Sequence, residues 1–290
     1  MTSKLALGTA QFGMQYGISN RSGQTPEAEV FQILSLARSA GVDTLDTAIA
    51  YGDSERVLGR IGVAGWKVVS KVPAIPREVR DIDGWLRSEI EMSLERLGID
   101  YLHGFLLHDA EQLTRSCGEQ ISRSLEQISR EGLASHAGIS IYDPERLPAY
   151  LEILEPGLVQ APLNLLDRRL IESGWLAKLS QWGVEVHARS CFLQGLLLMP
   201  PDERPLRFSQ FADFFAVWDD WLQGSGLSPI LACLQFCLQQ NQVHRIVVGV
   251  ESRTQLQQIL GSAGSSLPSL PEWPRAPEAA LINPSFWNKS

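Results

Sequence analysis

Short apolar runs of strand character alternate with longer stretches whose apolar residues recur at helical spacing, along most of the chain. Strands separated by helical crossovers return to a sheet in parallel, so this alternation points to repeated β-α units. Eight strand candidates are readable. They are "LAL" near Leu5, "VDTLD" ending at Asp46, "KVVSK" ending at Lys71, "LHGFLLH" ending at His108, "ASHAGIS" ending at Ser140, "LVQA" near Gln160, "VEVHARS" ending at Ser190 and "RIVVGV" ending near Val250. Eight strands with intervening helices predict an α/β fold of the closed (β/α)8 TIM-barrel type, and 290 residues with 44% apolar composition suffice for it as a single domain, 1–290.

Punctuation supports the helices. Pro26 after Thr25 marks a helix start, with Val30, Ile33, Leu34 and Ala37 as its buried face and Gly41 as its stop. Leu86, Ile90, Leu94 and Leu97 before Gly98, and Ile121, Leu125 and Ile128 before Gly132, repeat the pattern. "LLLMPPDERPLRFSQF" and the aromatic stretch through Phe214, Trp218 and Trp221 predict a long loop with an extra helix at about 195–226. The Ser-, Pro- and Trp-rich tail, about 262–290, is expected to pack across a barrel surface.

A formal charge of -8 argues against nucleic acid or an anionic membrane as partner. No apolar run approaches the roughly 20 residues of a spanning helix, and "MTSKLALGTAQFG" has no secretory pattern, so a cytoplasmic location is expected. Cys117, Cys191, Cys233 and Cys237 show no CxxC spacing and read as reduced thiols. His103, His136, His187 and His244 lack metal-ligand spacing, so no metal is expected.

Barrel chemistry sits at the C-terminal strand ends. Asp46, Lys71 and His108 fall at or just beyond the ends of strands two, three and four, and Tyr51 lies in the loop leaving strand two. Singly, each has a bland role: a helix cap, a snorkelling cation, a core aromatic. Together they are four groups able to move or polarise protons on one rim. After strand one, Phe12, Met14, Tyr16 and Asn20 either line a pocket at that rim or pack a long loop.

"DTAIAYGDSERVLG" resembles the signature of the aldo/keto reductase family. "VVSKV", "SLERLGIDYLHGFLLHD", "VQAPLNLLDRR", "ARSCFLQGLL" and "VVGVESRTQLQQIL" follow in the family's order, so the likeness covers nearly the whole chain. It implies a (β/α)8 enzyme that reduces an aldehyde or ketone, such as a sugar-like carbonyl compound, with a nicotinamide nucleotide. Tyr51 would donate the proton, Lys71 would sit beside it, Asp46 would pair with Lys71 and His108 would orient the carbonyl. A neighbouring ammonium would move the phenol's pKa down from about 10. The quartet has no hydride to give, so the cofactor must supply it. By the same resemblance, Ser140 and Gln160 would bind the nicotinamide amide, and Arg189 would present a flat side chain to its ring. Ser190, Phe192 and Gln194 would follow the diphosphate, and Gly249, Ser252, Arg253, Gln255 and Gln258 would surround the adenosine. Arg253 and Ser252 favour NADPH, with NADH as the alternative. Two rival readings are a nicotinamide-binding regulatory or scaffold protein with little turnover, and an aldolase-like barrel with Lys71 as Schiff-base nucleophile.

Overall fold

The computed structural model describes residues 4–262 and 267–287. Eight strands, β1 (Leu5–Gly8), β2 (Thr44–Asp46), β3 (Lys67–Val72), β4 (Leu102–Leu107), β5 (Ala134–Ser140), β6 (Leu158–Pro162), β7 (Glu185–Arg189) and β8 (Arg245–Gly249), form a closed barrel in sequence order. Every neighbouring pair is parallel, and β1 closes on β8 from Leu5↔Ile246 to Gly8↔Gly249. All eight expected strands are present, because each is a short apolar run with a helix to return the chain.

Among the described residues the α-helices longer than four residues are α1 (Glu27–Ser39), α2 (Ser54–Ile61), α3 (Ile82–Leu97), α4 (Gly118–Arg130), α5 (Leu147–Leu151), α6 (Trp175–Gln181), α7 (Ala212–Ser225), α8 (Pro229–Leu238) and α9 (Arg253–Gly261). α1 buries the expected Val30, Ile33, Leu34 and Ala37. Its start differs from the sequence reading: the Thr25 hydroxyl makes no cap, its N–H is taken by the Gln11 carbonyl, and the helix begins at Glu27 after Pro26. α3 is capped by Asp81, which accepts from the Gly84 N–H at 2.9 Å, and ends at Gly98 with a φ of 66° that favours glycine.

Most of the apolar core lies between the outer faces of the strands and the helices. A separate cluster of Val69, Leu106 and Leu158 joins β3, β4 and β6, strands that are not all neighbours, so it plugs the barrel interior. In the insertion, α7 buries Phe214 and Trp218, and Trp221 stacks on Trp218 at 5.6 Å. The tail returns to the same side: the Trp273 indole donates to the Leu165 carbonyl, and Trp287 packs edge-on against Phe208 at 5.0 Å.

One buried carboxylate fastens α2 to the wall. Glu55 is 2% exposed; its Oε1 accepts from the Ser70 and Ser93 hydroxyls at 2.6 Å each, and its Oε2 accepts from Arg96 Nε at 2.7 Å. α2 and α3 approach so closely there that a Cβ on Gly59 would lie 2.0 Å from the Arg96 carbonyl oxygen. Glu55→Ala strands two buried hydroxyls and a half-buried guanidinium, and is expected to cost about 3 kcal/mol or more. Glu91→Ala, which removes an exposed partner of Arg87, should stay within about 0.5 kcal/mol. Urea unfolding midpoints check both, and equal shifts would remove Glu55 as a fastening point.

Candidate active site

The barrel brings the four candidate residues to one rim. Asp46 ends β2, Lys71 is the penultimate residue of β3, and His108 follows β4 directly. Lys71 is fully buried, and its Nζ donates to Asp46 Oδ2 at 2.9 Å and to the Thr47 carbonyl at 2.7 Å. The other Asp46 oxygen accepts from Gln160 Nε2 at 2.6 Å. β2 and β6 stand four strands apart in an eight-stranded ring, so this bond crosses the barrel mouth.

Tyr51 is half-buried beside that network. Lys71 Nζ lies 5.1 Å from its ring centroid, the His108 ring meets it edge-on at 5.7 Å, and the Tyr16 ring stands 6.4 Å away. Burial pushes the Tyr51 phenol above its ordinary range; the Asp46 charge adds to the effect and Arg189 opposes it. The downward shift expected from Lys71 is therefore corrected: the ammonium is spent on Asp46 and Thr47, while loss of solvent penalises the phenolate. Burial, then the charges of Lys71 and Arg189, push His108 down to about 4, so its ring is neutral near pH 7. Burial also lowers Lys71, against the pull of Asp46.

Two cavities open around Tyr51. The larger, ≈ 400 Å³, runs from Asp46 and Tyr51 past Arg189 and Phe192 to Gly249, Gln255 and Gln258 near the start of α9. The smaller, ≈ 220 Å³, is walled by Met14, Ala50, His108, Ser140 and Tyr142. Tyr16, Tyr51, Gln160 and Arg189 line both. Lys71 lines neither, which leaves an aldolase-like reading without access to its nucleophile. Arg189 is fixed by a 2.8 Å bond to the Ile141 carbonyl and lies 4.2 Å from the Tyr142 ring centroid, so one of its faces is already covered.

Of the expected cofactor residues, Gln160, Arg189, Ser190, Phe192, Gln194, Gly249, Gln255 and Gln258 line the larger cavity and Ser140 the smaller. Ser252 and Arg253 line neither: the Ser252 hydroxyl caps α9 by accepting from the Gln255 N–H, and the Arg253 backbone N–H donates to Glu29 while its side chain is exposed. Glu251, Gln11 and Ser19, which the sequence reading passed over, do line the larger cavity. Ser190, Leu193 and Gln194 have φ of 61°, 48° and 52°, unusual for residues with a side chain, and shape the β7 side of that wall. In the first loop, Met14 and Tyr16 reach the cavities, whereas Phe12 and Asn20 are buried. The larger cavity has an amide and a cation, Gln160 and Arg189, near Tyr51 and further amides, Gln255 and Gln258, near α9, a donor set that suits a nicotinamide nucleotide.

The chain is thus a closed parallel (β/α)8 barrel that gathers a Tyr, a Lys–Asp pair and a His at its C-terminal rim. The aldo/keto reductase family matches residues 4–269, and the chain belongs to that family. L-glyceraldehyde 3-phosphate reductase of Escherichia coli (strain K12) is 27% identical over 198 residues, 60% of this chain and 57% of that protein, so the match spans little more than half of that relative. The NADH-specific methylglyoxal reductase of the same strain is 30% identical over 114 residues, 39% of this chain and 34% of that protein. The holo form of aldo-keto reductase AKR11C1 from Bacillus halodurans shares the fold with a TM-score of 0.71 at 21% identity, covering 91% of this chain and 88% of that one. No helix among the described residues is long and apolar enough to cross a membrane.

The lowered His108 gives a stability signature. An unfolded His titrates near 6.5 and the folded one near 4, so between those values only the unfolded chain takes up the proton. Stability should therefore fall as pH drops from about 6.5 to 4 and then level off. The difference between wild type and His108→Gln in urea midpoint, followed across that range, isolates the effect; parallel curves would contradict it.

Proposed function

We propose that the protein reduces an aldehyde or ketone to an alcohol, with Tyr51 as proton donor. The observation that carries this reading is the position of Tyr51 where the two cavities meet, between the Lys71–Asp46 pair and a neutral His108. The larger cavity is read as the nucleotide site and the smaller as the carbonyl site. A bound nicotinamide nucleotide supplies the hydride, which none of these side chains can.

Tyr51 keeps its proton at working pH, since burial and Asp46 both oppose the phenolate. As negative charge develops on the carbonyl oxygen, that oxygen becomes the stronger base and the phenol proton moves to it. Lys71 and Arg189 then stabilise the phenolate left behind. Neutral His108 hydrogen-bonds the carbonyl oxygen and holds it towards Tyr51 without offering a competing acidic proton. Gln160 and Asp46 keep the Lys71 ammonium in place. Tyr51→Phe is expected to leave nucleotide affinity within about twofold while lowering turnover about a hundredfold to ten-thousandfold. Fluorescence titration and steady-state rates on a panel of small aldehydes check the two halves; undiminished turnover would reject Tyr51 as the acid. Bound nucleotide without turnover of any carbonyl would favour the regulatory reading instead.

NADPH was favoured through Arg253 and Ser252, but their positions outside the cavity walls turn the reading to NADH. The β8 end of the cavity carries the half-buried Glu251 carboxylate, which repels a 2′-phosphate and accepts hydrogen bonds from ribose hydroxyls. NADH should bind at least about tenfold more tightly than NADPH, a difference of about 1.4 kcal/mol, and Glu251→Gln should narrow the gap. Tighter NADPH binding by the wild type would overturn this preference.

A further inference from the structure

Three of the chain's five histidines converge on one carboxylate at the opposite mouth of the barrel, where the parallel strands begin. His103 is the second residue of β4, His136 the third of β5, and Glu185 the first of β7. His103 Nε2 lies 3.0 Å from Glu185 Oε2, and His136 Nε2 lies 3.6 Å from the same oxygen. The ligand atoms of these three residues all fall within 4.8 Å of one another. In a tetrahedral zinc site with bonds of about 2.0–2.1 Å, ligand atoms stand about 3.3 Å apart, midway between those two separations.

We propose that His103 Nε2, His136 Nε2 and Glu185 Oε2 form a Zn²⁺ site at the N-terminal mouth of the barrel, with water in the fourth position. Two nitrogens and one carboxylate oxygen are the donor set of an open zinc site. His187 orients the carboxylate. It is fully buried, its Nε2 stands 2.8 Å from Glu185 Oε1, and its Nδ1 has no partner among the described residues, which places the proton on Nε2 and makes the ring a donor to the carboxylate. Gly157 leaves room for the ring of His136: a Cβ there would lie 2.9 Å from His136 Nδ1.

Zn²⁺ at His103 Nε2 replaces that atom's hydrogen bond to Glu185 and requires the ring proton on Nδ1. The side chains of His103, His136 and Glu185 are 16%, 34% and 17% exposed, so an ion can enter from solvent and retain a water. A bound ion would tie together the starts of β4, β5 and β7, on the face that stabilises this fold.

The test uses the full chain, freed of metal by chelation and then dialysed. Zn²⁺ titrated in competition with a chromophoric chelator should bind at one equivalent, and Co²⁺ should give the visible bands of a tetrahedral site without thiolate charge transfer. His103→Gln and His136→Gln should each weaken Zn²⁺ at least about a hundredfold and abolish those bands, while leaving nucleotide binding at the far rim unchanged. If one variant fails to fold, the other decides. Absence of stoichiometric binding, equal affinity in a folded variant, or a thiolate-to-cobalt band would overturn the proposal.

Discussion

The Lys71–Asp46 ion pair is the constraint on which the upper half of this barrel depends. Both side chains are withdrawn from water, with Lys71 fully buried and Asp46 3% exposed, so each charge needs partners supplied by the protein. Asp46 receives them from two directions, Lys71 on the adjacent strand and Gln160 across the mouth. The ladder that sets Asp46 opposite Val69 leaves Lys71 two residues further up β3, on the same face of the strand and above the apolar plug that Val69 helps to form. Loss of either charge would leave the other buried and unpaired, at a cost of about 3–5 kcal/mol. The charged pair at the centre of the site is therefore tied to the closure of the barrel, while the loops bring Tyr51 and the cavity walls up to it.

The two ends of the barrel differ in what their polar groups can do. At the C-terminal rim a buried cation and anion are balanced next to a phenol and a neutral imidazole, with cavities on either side. At the N-terminal mouth three imidazoles share one carboxylate. Between them lies the layer of Val69, Leu106 and Leu158, which separates the two polar clusters with hydrocarbon. Chemistry at one end can thus change without disturbing the packing of the other, which is how a barrel can hold a reaction at one rim and a fastening at its base.

The sequence was most readable where one strand or helix decides the outcome. Every strand announced itself as a short apolar run, and Asp46, Lys71, Tyr51 and His108 stood out because strand ends and the loops after them meet at one rim. Features that depend on tertiary neighbours were not readable. Glu55 looked like part of a motif, and only the packing of α2 on β3 and α3 shows it buried among Ser70, Ser93 and Arg96. Arg253 was expected at a phosphate because it is the sole cation in its segment, but the first turn of α9 turns it to solvent. Thr25 has the chemistry of a helix cap, yet its hydroxyl is buried with no partner among the described residues and α1 starts two residues later, after Pro26. The histidine cluster left no trace in spacing, since its members come from three strands that only barrel closure brings together.

The direction of the Tyr51 shift bears on how a phenol can act as an acid at all. A lowered pKa would make the proton easier to lose but would also leave a fraction of the protein deprotonated before substrate arrives. In the arrangement found here burial and Asp46 keep the phenol whole, and the cations nearest it, Lys71 and Arg189, are already engaged by Asp46 and by the Ile141 carbonyl. Their fields gain most when negative charge appears at the phenol oxygen, which in the proposed reaction happens only as the proton leaves. Stabilisation is thus weighted towards the transition state and away from the resting site, and fixed charges held by other parts of the barrel need little rearrangement to provide it. The same weighting explains a neutral His108 better than a charged one: an imidazolium would stabilise the substrate oxygen but would also compete with Tyr51 as proton source. Of the two phenols that line both cavities, Tyr51 is the one set between the Lys71 ammonium and the His108 ring, which is why the proposed reaction draws its proton there.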